Sequence, residues 1–163
     1  MSLKIVTAIF SYASPSIAFF TTLFTCGTTS VKSASQRERI ATAALEGIAY
    51  QVKELLDAME KDAGKKIECL RVDGGASRSD FLLQFQSDIL QCPIDRPVTV
   101  ETTAFGAAFL AGHAVGLWPD LNDLNTLRQT DRIFEPNMEA KRIETLMAGW
   151  HKAVGRSLDW ADK

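Results

Sequence analysis

The chain has 163 residues, 46% of them apolar and 23% charged, with a formal net charge of −2. That is the length of one domain, able to bury roughly 70% of the surface its unfolded chain exposes. Near-neutrality excludes bulk electrostatic binding of nucleic acid, which needs a basic face, but not a single nucleotide held by backbone N–H groups.

Residues 1–35 differ from the rest. No charged residue occurs between Ile5 and Val31, and Ile17 to Cys26 is apolar or hydroxylic. The run resembles a signal peptide or a membrane span, but Pro15 interrupts it, hydroxylic residues are spread through it and only Lys4 precedes it. These features argue against membrane insertion, and the alternatives are buried strands of the same domain or a stretch that does not fold independently. Cys26-Gly-Thr-Thr-Ser30 mimics a phosphate loop without the aspartate such a loop needs, and reads as a chance likeness.

Patterning begins at Ser35. Ser35-Gln-Arg-Glu38 has capping-box spacing, and Ile40, Ala44, Ile48, Val52, Leu55 and Met59 recur every three or four residues. The spacing predicts a helix over Gln36–Asp62, stopped by Gly64. Lys66–Val72 predicts a strand, and Ser79–Leu90 a helix with Pro93 beyond it. Pro97–Val100 reads as a second strand. Thr102–Gly112 reads as a helix of small residues ended by Gly116, in which Gly106 is expected to allow close packing. A last helix is expected after Pro136, through Ile143, Trp150 and Leu158. The order helix, strand, helix, strand, helix, helix places the chain in the α/β class.

The chemistry concentrates at Asp73-Gly-Gly-Ala-Ser77, between strand and helix. Glycines let a ligand approach the peptide planes, and a helix start offers unpaired N–H donors to phosphate. Ser77 is placed to cap the helix, with Asp80 as the capping-box partner. On its own the motif is unspecific, and neither a P-loop lysine nor a GxGxxG fingerprint accompanies it. His113 and His151 lack metal-site spacing and read as structural or solvent-facing. The three cysteines, Cys26, Cys69 and Cys92, form no CxxC pair and suggest a reducing, cytoplasmic setting.

The runs Leu70-Arg-Val-Asp-Gly-Gly-Ala76, Phe81-Leu-Leu-Gln-Phe-Gln-Ser-Asp-Ile-Leu90, Glu101-Thr-Thr-Ala-Phe-Gly-Ala-Ala-Phe-Leu-Ala-Gly112 and Ala148-Gly-Trp150, with Ala44–Gln51 upstream, resemble the glycerol kinases of the FGGY carbohydrate kinase family. The resemblance covers about residues 36–160, and Phe-Gln-Ser-Asp-Ile-Leu is its most specific mark. It implies an α/β fold, a partial actin-like (ribonuclease-H-like) ATPase domain of sugar kinases. Residues 36–163 would be the C-terminal FGGY-kinase-like domain and residues 1–35 an apolar leader.

The implied activity is ATP-dependent phosphorylation of glycerol to glycerol 3-phosphate and ADP, with Mg²⁺. By position, Gly74 and Gly75 would lie against ATP or ADP. Ser79 stands where many members have an asparagine that touches the nucleotide, and serine offers one shorter hydroxyl in its place. The family's phosphate loop, catalytic base and glycerol contacts lie upstream of the matched region. No catalytic residue or metal ligand is therefore assigned here, and the chain alone is expected to be inactive. A first domain's absence would expose apolar surface, favouring homo-oligomers or association with a complementary kinase fragment. The alternative reading is a non-catalytic kinase-derived interaction module.

Overall fold

The computed structural model describes residues 34–118 and 128–158. The apolar leader and the Gly-Thr-Thr likeness lie outside them. Helix α1 spans Ala34–Ala63, with Gly64 at φ +64° just past its end, the left-handed conformation expected of that glycine. The helix begins one residue before Ser35, so the expected capping box does not mark its start. The buried face also differs from the expected stripe. Ala49, Tyr50, Val52 and Leu56 are buried, whereas Ile40 and Leu55 are exposed.

Strand β1 is only Leu70–Arg71, much shorter than the expected Lys66–Val72. The reason lies in where the backbone bonds go. Leu70 N–H reaches Pro93 O at 2.9 Å and Val72 N–H reaches Asp95 O at 3.2 Å, but Ile67 N–H is taken by the Glu60 carboxylate at 2.7 Å. A 3₁₀ turn, Gly75–Arg78, leads into α2, Asp80–Leu90. Strand β2 is Ile94–Pro97 rather than Pro97–Val100, because Ile94 and Asp95 pair in parallel with Leu70 and Arg71. Pro97 closes this strand beside a register irregularity, one of the few places a proline is tolerated in a ladder.

Helix α3 spans Thr102–Ala114, and Gly116 at φ +80° lies just past it. Close approach does occur on this helix, but at Gly112: a Cβ there would fall 2.0 Å from the Trp118 ring, which stacks on Phe109 at 5.0 Å. A Cβ at Gly106 would meet nothing within 4 Å. Strand β3, Thr130–Phe134, was not expected from the sequence, and it pairs antiparallel with β2 to complete a sheet of order β1-β2-β3. Helix α4 spans Ala140–Ser157.

The core has two parts. Val52 and Leu56 of α1 and Leu83 of α2 cover the sheet residues Leu70, Ile94 and Phe134, with Cys92 between them. Ala49 and Tyr50 of α1 and Phe85 and Ile89 of α2 pack against Ile143 of α4. Tyr50 joins this second cluster through rings, edge-on to Phe85 at 5.6 Å and stacked on Trp150 at 5.3 Å. Together they hold α2, and hence the turn before it, at a fixed height over the sheet.

Candidate functional site: the glycine turn between β1 and α2

The backbone leaves β1 through Val72 and Asp73 and reverses at Gly74, whose φ of 80° and ψ of 173° fall in a region open essentially to glycine alone. Gly74 N–H donates to Val100 O at 2.7 Å, and Thr102 Oγ1 donates to the Asp73 carboxylate. These two bonds tie the turn to the start of α3. Gly74 O in turn accepts from Ser77 N at 3.1 Å and from Ser77 Oγ at 2.7 Å. Ser77 is thus buried inside the turn and does not cap α2. The cap is Ser79, whose Oγ accepts Leu82 N–H at 3.3 Å. One of its lone pairs is engaged there, and its hydroxyl hydrogen remains as a donor.

Gly75 differs from Gly74. Its φ is ordinary, it is exposed, and a Cβ would meet nothing within 4 Å. Among the described residues, the N–H groups of Gly75 and Ala76 make no hydrogen bond, because the turn's internal bonds begin at Ser77. The turn therefore presents free donors on an open backbone surface, which suits an anionic or carbonyl-rich ligand.

Behind the turn sits Arg96 of β2. Its Nη1 donates to Ser77 O at 3.2 Å and to Asp80 Oδ1 at 2.6 Å, while Nε and Nη2 hold Asp131 Oδ2 at 2.8 and 2.7 Å. Arg132, directly opposite in the β2–β3 register, takes the other Asp80 oxygen at 2.8 Å. Both guanidinium groups lie over the Phe134 ring, at 5.2 and 4.6 Å. The Arg96 guanidinium beside Asp80 holds that carboxyl below its usual range, and Arg132 adds to the effect.

Other reactive groups are engaged or quiet. Burial pushes the Cys92 thiol up to about 11, so it is no thiolate nucleophile near neutral pH. His113 Nδ1 lies 2.6 Å from Trp118 O, and His151 is 3.4 Å from Glu54. No group of three histidine, cysteine or acidic side chains placed to hold a metal occurs among the described residues. Among the same residues, no helix is long and apolar enough to cross a membrane.

The most specific sequence mark, Phe85-Gln-Ser-Asp-Ile-Leu90, has a structural job at the opposite end of α2. Phe85 and Ile89 enter the core, Ser87 Oγ reaches Cys92 O at 2.9 Å and Phe134 O at 2.8 Å, and Asp88 Oδ1 accepts Asn137 N–H at 2.7 Å. The mark thus fixes the far end of the helix that the glycine turn begins.

Comparison with known proteins decides the lineage of this arrangement. Residues 16–115 match the family described as FGGY family of carbohydrate kinases, C-terminal domain. The chain belongs to that family. The match begins inside the apolar segment and takes in the whole glycine turn. The glycerol kinase of Dechloromonas aromatica (strain RCB) is 56% identical over 126 residues, covering 77% of this chain and 25% of that protein. That of Clostridium botulinum (strain 657 / Type Ba4) is 52% identical over 129 residues, covering 79% and 26%. The chain thus spans about a quarter of the length of the curated relatives it matches.

Among solved structures, Plasmodium falciparum glycerol kinase with ADP superposes with a TM-score of 0.66 at 37% identity, covering 77% of this chain and 25% of that one. Ligand-bound xylulose kinase from Lactobacillus acidophilus gives 0.62 at 26% identity, covering 80% and 27%. The fold is accordingly part of the actin-like ATPase domain of the FGGY kinases.

Proposed function

We propose that this chain supplies the nucleotide-contacting part of a glycerol kinase, an ATP-dependent enzyme that converts glycerol to glycerol 3-phosphate and ADP. Gly74 shapes the turn, Gly75 and Ala76 offer N–H donors to the nucleotide, and Ser79 contributes a hydroxyl hydrogen. The observation that carries this reading is the open surface at Gly75. Nothing in the chain's own packing asks for glycine there, whereas a ligand lying against the backbone does. Identity above 50% to curated glycerol kinases and the likeness to a glycerol kinase solved with ADP support the same assignment.

The turn's chemistry is binding and orientation. Phosphoryl transfer depends on placing the transferring group and stabilising its charge, and Mg²⁺ supplies part of that stabilisation in kinases. No metal-holding cluster occurs among the described residues, so no step is assigned to a metal here.

The test is a titration of the full chain with ADP, followed by ¹H–¹⁵N amide shifts and by melting temperature. Shifts are expected at Gly75 and Ala76. Gly75→Asp places a carboxylate in open space and should remove the ADP response while leaving the unliganded melting temperature nearly unchanged. Absence of any response of the unaltered chain to millimolar ADP would overturn the proposal.

A further inference from the structure

We infer that Arg96 is a positioning residue for the nucleotide turn, acting through the Ser77 carbonyl. The inference rests on the nucleotide reading of that turn. It begins with an electrostatic conflict in the sheet. Arg96 and Arg132 face each other across β2 and β3, where like charges are unfavourable. Asp80, the first residue of α2, relieves the conflict by giving one carboxylate oxygen to each arginine, at 2.6 and 2.8 Å.

The two arginines then differ in one respect. Arg132 is half exposed and bonds Asp80 alone, whereas Arg96 is only 13% exposed in its side chain and also donates to Ser77 O at 3.2 Å. Its remaining nitrogens are fixed in a fork on Asp131 of β3. A planar guanidinium anchored on that fork can move Nη1 only by moving the sheet. The carbonyl it holds belongs to the buried residue that closes the glycine turn, since Ser77 N and Oγ both bond Gly74 O. Arg96 thereby sets the height of Gly74 and Gly75 relative to β2 and β3. A lysine would keep the charge but lose the fork, and with it the constraint.

The experiment compares the full chain with Arg96→Lys and Arg132→Gln, measuring melting temperature, amide hydrogen exchange at Ser77 and Ser79, and ADP affinity by titration. Arg132→Gln removes an ion pair and a ring contact without touching the turn, so it serves as the purely structural control. Arg96→Lys is expected to speed exchange at Ser77 and Ser79 and to weaken ADP binding about tenfold beyond the control, as loss of a charge-assisted contact would. Asp131→Asn, which loosens the fork and leaves Arg96 in place, should shift both readouts in the same direction by less, and it decides the matter if Arg96→Lys does not fold. Exchange and affinity in Arg96→Lys equal to those of Arg132→Gln would overturn the inference. Failure of the unaltered chain to bind ADP would instead overturn the nucleotide reading, and the exchange rates would still decide the positioning role.

Discussion

Ser87 has no exposed surface, and its hydroxyl hydrogen lies within reach of the carbonyls of both Cys92 and Phe134. One small polar side chain thereby joins the end of α2 to the end of β3. Ser87→Ala would leave buried carbonyl capacity unmet, a loss of about 1–3 kcal/mol that a urea unfolding midpoint should register. ADP response at the glycine turn should persist under conditions where the variant is folded. At this scale the sequence was partly legible. Ser87 stood out as part of a family mark, but a run of letters cannot separate a residue kept for packing from one kept for a ligand. The two serines of the turn show the same limit: Ser77 and Ser79 are alike in type and two positions apart. Only the reversal at Gly74 turns Ser77 inward to its carbonyl and leaves Ser79 to cap α2.

Among the elements, β2, β3 and the first turn of α2 are joined by charges as well as by ladder bonds. Asp80 has its pKa lowered from a usual 3.8, chiefly by the hydrogen bond from Arg96. A carboxyl depressed on folding contributes stability above its unfolded pKa and loses it as pH falls through the lower folded value. The wild-type chain should therefore exceed Asp80→Asn in urea midpoint at pH near 6, and the two should converge well below pH 4. The gap at the higher pH should also narrow in salt, because Asp80 is exposed. A difference that persisted unchanged in acid would refute this account. Helices α1, α2 and α4 were legible in advance because each carries several turns of patterned apolar residues, and α3 because it is a run of small and apolar residues closed by Gly116. The strands were legible only in part, β1 in its place but not its length and β3 not at all. β1 has two residues, and β3 reads Thr-Asp-Arg-Ile-Phe with only Phe134 buried. Its charged positions answer Arg96 and Asp80 in space, 35 and 52 residues away in sequence, and no periodicity records such an answer.

At the scale of the whole molecule, the described residues include a turn with free backbone N–H groups at Gly75 and Ala76 but no group of three histidine, cysteine or acidic side chains placed to hold a metal. The chain matches about a quarter of the length of its curated relatives. Positioning the transferring group from both sides is the larger part of phosphoryl-transfer catalysis. The chain by itself should accordingly release no ADP above background in a coupled assay with ATP, Mg²⁺ and glycerol, even where it binds ADP. Turnover at rates ordinary for a kinase would contradict that expectation. Helix α3 is composed almost wholly of apolar and small residues, and Phe105 and Leu110 on it are exposed, as is Val115 just past its end.

Gly74 and Gly75 are identical neighbours that answer to different constraints. A selection scoring only the amount of folded protein would reject most replacements at Gly74, where the backbone conformation excludes side chains, and would pass them at Gly75, where space is open. On the proposed nucleotide role of the turn, a selection scoring ligand capture would reject both. The tolerance of the first position thus reports on how the chain is built, and that of the second on what the chain meets.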